Sequence, residues 1–192
     1  IGAPDNSEGS AYIFKKNSDE TWSEQLKLTA SEATSNTHFG NSVSIDGNYA
    51  IVGGKYDGTY RGAAYIFKKT SDETWSEQIK LTASDAADYQ YFGQDVSISG
   101  NYAIIGLRLG GAHIFKKNDN DETWTEQIKL TASDAAANDQ FGESVSIDEN
   151  YAIIGAPDNS EGSAYIFKKN SDETWSEQLK LTASEATSNT HF

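Results

Sequence analysis

The chain has 192 residues, no cysteine, and a formal net charge of −14 from 15 basic and 29 acidic side chains. Such acidity sets it against nucleic acid and anionic membrane surfaces as partners, and without cysteine neither a disulfide framework nor a thiolate site is open to it. No apolar stretch approaches the roughly 20 residues that a membrane-spanning helix needs, so membrane insertion is not expected.

One cassette keeps returning along the chain. Ala11 to Lys16 reads Ala-Tyr-Ile-Phe-Lys-Lys, an acidic turn follows, then Trp22, then Lys-Leu-Thr-Ala-Ser from Lys27 to Ser31. Later copies begin at Ala64, Ala112 (with His113 in place of tyrosine) and Ala164. Between the cassettes lies Phe-Gly-x-x-Val-Ser-Ile, opening at Phe39, Phe92 and Phe141. The tryptophans Trp22, Trp75, Trp124 and Trp175 are spaced by 53, 49 and 51 residues, as are Phe39, Phe92, Phe141 and Phe192. A period near 50 marks a solenoid, a propeller or an array. A longer period is nested in it, since residues 1–39 are identical to residues 154–192.

Each unit reads as four short strands. The first is Val43 to Ile45, closed by Asp46-Gly47-Asn48, a strong hairpin signal. The second is Tyr49 to Gly53, with counterparts at Tyr102 to Gly106 and Tyr151 to Gly155. The third is Ala64 to Lys68, and the fourth Trp75 to Thr82, where Trp75, Glu77, Ile79 and Leu81 alternate with Ser76, Gln78, Lys80 and Thr82. The middle strands are continuous apolar runs, as expected of strands buried on both faces. The alternating fourth strand carries lysine, which suits a half-exposed edge. No segment has helical periodicity long enough to compete. The fold class predicted is all-β: a β-propeller-like array of four-stranded antiparallel blades, about 51 residues per blade. The chain divides into a partial blade over 1–39 and blades over 40–92, 93–141 and 142–192. It starts in mid-phrase at Ile1 and stops at Phe192 where glycine is due, which predicts a window of a longer tandem chain.

The phrases Phe141-Gly142 and Gly155-Ala156-Pro157, with Gly2-Ala3-Pro4 as an earlier copy, resemble the FG-GAP repeats of integrin-like β-propellers, in a bacterial extracellular style. The second and third units depart from that pattern, with Gly53-Gly54-Lys55 and Gly106-Leu107-Arg108 in place of Gly-Ala-Pro. The resemblance implies a propeller fold and a secreted or cell-surface location. It also brings in calcium, through a loop of the Asp-x-Asp/Asn-x-Asp-Gly type. That motif is absent: Asp5 to Gly9 and its copy Asp158 to Gly162 supply too few oxygens in that spacing. Asn118 to Glu122 sits in a hairpin, where Asn and Asp are ordinary turn residues. No cofactor and no metal site is therefore expected.

Nothing in the sequence assembles catalytic machinery. His38 and its copy His191 lack a nearby triad pattern, and His113 replaces a strand tyrosine. The adjacent acids of Asp72-Glu73 and Asp121-Glu122 point apart on a turn, whereas an acid/base pair must converge on one bond. Trp22, Trp75, Trp124 and Trp175, with Phe39, Phe92, Phe141 and Phe192, are expected to pack blade against blade. Variation between units concentrates in the loops, which makes Tyr56, Asp57, Tyr60 and Arg61 the ligand-binding candidates. The function expected is a non-enzymatic extracellular structural repeat protein that builds a fibre, stalk or surface assembly, its partner being more of the same repeat. The alternative is an adhesin-like or lectin-like closed propeller that binds a glycan or a cell-surface protein through its variable loops.

Overall fold

The computed structural model describes residues 1–5, 8–32, 36–136, 138–159 and 161–184. The first sheet has three strands, β1 (Gly2–Ala3), β2 (Ser10–Lys16) and β3 (Trp22–Leu28). The second has four: β4 (Phe39–Asp46), β5 (Tyr49–Gly54), β6 (Ala63–Lys69) and β7 (Trp75–Leu81). The third runs β8 (Val96–Ser99), β9 (Tyr102–Leu107), β10 (Gly111–Lys117) and β11 (Trp124–Leu130), and the fourth β12 (Val145–Asp148), β13 (Tyr151–Ala156), β14 (Ser163–Lys169) and β15 (Trp175–Leu181). Every sheet is antiparallel and its strands lie in chain order, so each is a meander, the propeller-like blade predicted.

The hairpins follow from local chemistry. Gly47 and Gly100 turn the first hairpins of two blades at φ 54° and 55°, a left-handed conformation that glycine adopts without penalty. In the outer hairpins an aspartate accepts from the threonine two residues on: Asp19 from Thr21, Asp121 from Thr123 and Asp172 from Thr174. These hydrogen bonds hold the Asp19, Asp121 and Asp172 carboxyls below the usual carboxylate range. The only helical turn among the described residues, α1 (Asp57–Tyr60), is broken by Gly58 at φ 63° and belongs to a loop.

The blades have no cores of their own. One cluster joins Ile51, Ile66 and Leu81 of the second sheet to Val96, Phe115 and Trp124 of the third. Another joins Tyr102, Ile104 and Ile114 of the third to Ile154, Tyr165 and Trp175 of the fourth. The two faces of the apolar middle strands therefore serve different neighbours, so continuous runs, not alternating ones, are required there.

The fourth strands behave differently from the sequence expectation. In every sheet the register shifts at the same place, so that Ile66 pairs with Ile79 while Phe67 pairs with Glu77, and Gln78 is left as a β-bulge. Alternation places Trp75, Glu77, Ile79 and Leu81 on one face. The bulge instead turns Trp75 toward the first sheet's cluster and Ile79 and Leu81 toward the third sheet. One short strand thereby serves both neighbouring blades.

On the first and fourth sheets the equivalent positions are exposed. Tyr151, Ile153 and Leu179 of the fourth sheet are exposed. On the first sheet Ile1 is exposed, and Trp22 is 65% exposed where Trp175 is 7%. Trp22, expected from sequence to pack blade against blade, meets none of the hydrophobic clusters of the described residues. A groove of about 200 Å³ beside Ile1, lined by Leu28, Val43 and Ile45 among others, marks where the three-stranded sheet is narrower than its neighbours.

Candidate functional site

Two arrangements stand out, a tyrosine cluster on the loops and a set of contacts that recurs between blades. The loop between β5 and β6 carries Tyr56 and Tyr60, and the connector between β7 and β8 carries Tyr89 and Tyr91. Backbone bonds zip the two segments together: Tyr89 N–H to Thr59 C=O at 3.2 Å, Tyr91 N–H to Tyr60 C=O at 2.9 Å, and Phe92 N–H to Arg61 C=O at 2.9 Å. The rings then pack on one another. Tyr56 meets Tyr60 edge-on at 5.2 Å and Tyr91 at 5.7 Å, while Tyr60 and Tyr89 stack at 5.4 Å with both rings exposed. His38 lies against Tyr56 at 4.3 Å, and Arg108 over Tyr91 at 5.9 Å.

Tyr89 and Tyr91 sit at φ 66° and 58°. The equivalent positions in other units are left-handed too, but carry Asn36 and Asn138, or His38 and Gln140. The backbone conformation thus belongs to the repeat, and the tyrosines belong to this junction alone. Asparagine tolerates that conformation, whereas a bulky residue there costs roughly 1–2 kcal/mol. Of the four sequence candidates, Tyr56 and Tyr60 join the cluster. Arg61 pairs with Asp88 at 2.7 Å, and Asp57 accepts from the Tyr65 hydroxyl at 2.6 Å and pairs with Lys80 at 2.7 Å. Burial, and next the hydrogen bond to Asp57, push the Tyr65 phenol well above its ordinary value.

The contacts between blades repeat almost atom for atom. Trp124 sits edge-on to Tyr49 at 6.0 Å, and Trp175 to Tyr102 at 6.0 Å. Lys117 and Lys169 lie over those same tyrosine rings, at 4.7 and 4.2 Å. A lysine of one blade reaches the hairpin glutamate of the next: Lys15 to Glu73 at 3.0 Å, Lys68 to Glu122, and Lys116 to Glu173 at 2.6 Å. Hydrogen bonds from these lysines hold Glu122 and Glu173 below the usual range, as those from Lys69 and Lys15 do for Glu73.

The serine of Lys-Leu-Thr-Ala-Ser clamps a glutamate of the following blade through both its N–H and its hydroxyl. Ser31 grips Glu77 at 2.8 and 2.9 Å, Ser84 grips Glu126 at 2.8 and 3.0 Å, and Ser133 grips Glu177 at 2.8 and 2.9 Å. Inner strands are joined likewise: Val96 N–H donates to Ser42 Oγ, Ile98 N–H to Ser44 Oγ, and Val145 N–H to Asp95. Sequence reasoning missed these polar partners. Their signal was the recurring Ser of Val-Ser-Ile, the Ser or Asp immediately before it (Ser42, Asp95 and Ser144), and the fixed Ser and Glu in the cassette.

The remaining sequence candidates are placed as follows. Phe39, Phe92 and Phe141 are buried, each edge-on to a strand aromatic or, for Phe92, to His113. Phe192 and His191 lie outside the described residues. Trp124 and Trp175 are buried and Trp75 is half-buried. His113 is fully buried, with Nδ1 2.8 Å from Glu126 and Nε2 facing Asp85 at 3.5 Å. Burial opposes charge on Glu126, but the hydrogen bonds from His113 and Ser84 prevail and hold its carboxyl below the usual range. Among the described residues no group of three or more His, Asp or Glu is placed to hold a metal ion, and no helix is long and apolar enough to cross a membrane.

Comparison with known proteins agrees with this architecture. No curated protein matches the chain. Among solved structures it is similar to Saccharomyces cerevisiae Sqt1, with a TM-score of 0.51 at 10% identity, over 76% of this chain and 36% of that one. The chain therefore spans about a third of that protein, and the likeness is one of fold. The FG-GAP repeat matches at residues 22–67, 75–121 and 124–167. Each match opens on an outer strand and closes on, or in the hairpin just after, the third strand of the next blade, so a sequence repeat straddles two blades. With three tandem matches over more than half its length, the chain belongs to the FG-GAP repeat family.

Proposed function

We propose that the chain is a non-enzymatic, extracellular structural repeat protein that builds a fibre, stalk or surface assembly by stacking β-blades. The observation that carries this reading is that, among the described residues, every hydrophobic cluster lies between blades. A blade of this kind is stabilised by a neighbour and presents a surface for another. FG-GAP repeats are commonly extracellular and typically non-enzymatic, which supports the location and the absence of catalysis. Light scattering and electron microscopy over a concentration series test the reading. Particles larger than one chain, growing with concentration, are expected; compact monomers closed on themselves at all concentrations would remove it.

A second reading, recognition through the loops, is favoured by the tyrosine cluster. Tyrosines at left-handed positions where other units carry Asn, His or Gln are a local cost that a binding surface would explain. On this reading the double variant Tyr60→Ser/Tyr89→Ser loses at least about tenfold in affinity for a glycan or cell-surface protein. A glycan array and a panel of surface proteins that show no binding by the unaltered chain would count against it.

A further inference from the structure

We infer that the tyrosine cluster between the second and third blades binds an acidic sugar, a ring that carries a carboxylate, and that Lys55 and Arg108 receive the charge. The assignment rests on recognition through the loops, as above, and adds to it a ligand class and two residues.

The two departures from Gly-Ala-Pro supply the cations. Proline stands at Pro4 and Pro157, and the same place in the second and third units holds Lys55 and Arg108. Of the 15 basic side chains, only Lys55, Arg61 and Arg108 lie outside the returning cassette. All three come to the tyrosines. Lys55 Nζ lies over the Tyr56 ring at 5.5 Å, the Arg108 guanidinium lies over the Tyr91 ring at 5.9 Å, and those two rings are 5.7 Å apart. Arg61 pairs through Nε with Asp88 at 2.7 Å, which straps the loop to the connector. Among the described residues neither Lys55 nor Arg108 forms an ion pair. Two adjacent blades thus place a charge with no counter-ion at one shared patch of rings.

The rings supply the platform. Tyr60 and Tyr89 stack at 5.4 Å and are 42% and 54% exposed. Tyrosine offers a large, rigid apolar face with a hydroxyl at its tip. A pyranose lays its face of C–H groups on such a ring and turns its hydroxyls to the phenols. A carboxylate on the same sugar then reaches the guanidinium, whose planar fork matches it with two parallel hydrogen bonds. The lysine receives the same charge as a point.

The net charge of −14 repels a long polyanion. Exposed charges more than about 8 Å away are largely screened at physiological ionic strength, so a short acidic sugar feels chiefly the two cations beside it. An acidic peptide fits less well. Adding a strand needs an unpaired edge, and here the carbonyls of Thr59, Tyr60 and Arg61 already accept from the N–H groups of Tyr89, Tyr91 and Phe92. Side chains are what the patch offers, and they match a ring with a charge.

The test measures binding of trigalacturonic acid, its neutral counterpart galactotriose, and triglutamate to the 192-residue chain by isothermal titration calorimetry. Trigalacturonic acid is expected to bind at least about tenfold more tightly than either of the others, the value of a charge-assisted contact. Lys55→Gln and Arg108→Gln each remove about tenfold of that affinity and leave galactotriose unchanged. Arg108→Lys recovers part of the loss, because it keeps the charge and gives up the fork. Arg108 is exposed, and Lys55→Gln keeps the backbone N–H that donates to Asn41 Oδ1 at 3.0 Å, so both variants are expected to keep the melting temperature of the unaltered chain. Equal binding of the two trisaccharides, equal binding of triglutamate, or unchanged affinity in the glutamine variants overturns the acidic-sugar assignment. Recognition through the loops survives those results wherever Tyr60→Ser/Tyr89→Ser still removes the binding that is seen. A chain that binds none of the three probes overturns the assignment, and the loop reading falls with it only if the glycan array and the surface-protein panel are blank as well.

Discussion

Replacing Trp124 by alanine is expected to destabilise the chain by about 3–5 kcal/mol, the range for deleting a buried large aromatic. In a chain of this length that corresponds to a fall in Tm of about 6–20 °C. Trp124 is 5% exposed and inserts between the second and third sheets against Tyr49, so the deletion opens a cavity at a junction, not within a blade. The four tryptophans occupy equivalent positions, and their effects should nonetheless be graded. Trp175→Ala is expected to match Trp124→Ala, half-buried Trp75 to fall below both, and Trp22, 65% exposed, to cost less than about 1 kcal/mol in dilute solution. Thermal denaturation of the four variants decides this. An unchanged Tm for Trp124→Ala would mean that the blades do not pack as described, and a large loss at Trp22 under dilute conditions would mean that its face is already covered.

Gly93→Ala is expected to cost roughly 2–5 kcal/mol, from left-handed strain and overpacking acting together. Gly93 follows Phe92 in the phrase that opens a blade, at φ 85°, and a Cβ there would lie 2.3 Å from the Ala63 carbonyl oxygen. The neighbouring blade's Gly53 faces it from the other side, where a Cβ would meet the Gly93 carbonyl oxygen at 2.3 Å. The same back-to-back pairs recur as Gly2 with Gly40 and Gly106 with Gly142. The two glycines of the family's pattern thus let the backbones of adjacent blades approach more closely than any side chain permits. Gly47→Ala is the control: it is also left-handed, at φ 54°, but nothing lies within 4 Å of a Cβ. Only the strain of roughly 1–2 kcal/mol applies there. Equal losses at the two sites in chemical denaturation would refute the close-approach account.

These two expectations belong to different levels of reading. The glycine pattern was visible as text in Phe-Gly and Gly-Ala-Pro, but its reason was not, since the two glycines of a pair lie some 40 residues apart and meet only when blades stack. The tryptophan grading was not visible at all. Trp22 and Trp175 sit in identical stretches, and nothing local distinguishes an indole with a neighbouring blade from one without. The loop site was half visible. Tyr56 and Tyr60 stood out as variation between units, whereas Tyr89 and Tyr91 join them because hydrogen bonds bring a distant connector alongside.

By itself the sequence determined the period, four strands to a blade, the hairpin positions and the apolar residues of the core. Each of these follows from short-range rules: side-chain alternation, turn residues at fixed offsets, and repetition at a constant distance. Only the tertiary structure decided which face each residue serves. The bulge at Gln78 and its equivalents turns Trp75 toward one neighbour and Ile79 toward the other, where strict alternation would put them together. Pairing register is a property of two strands, and burial here is a property of two blades. Neither can be read from the one strand that carries the cassette.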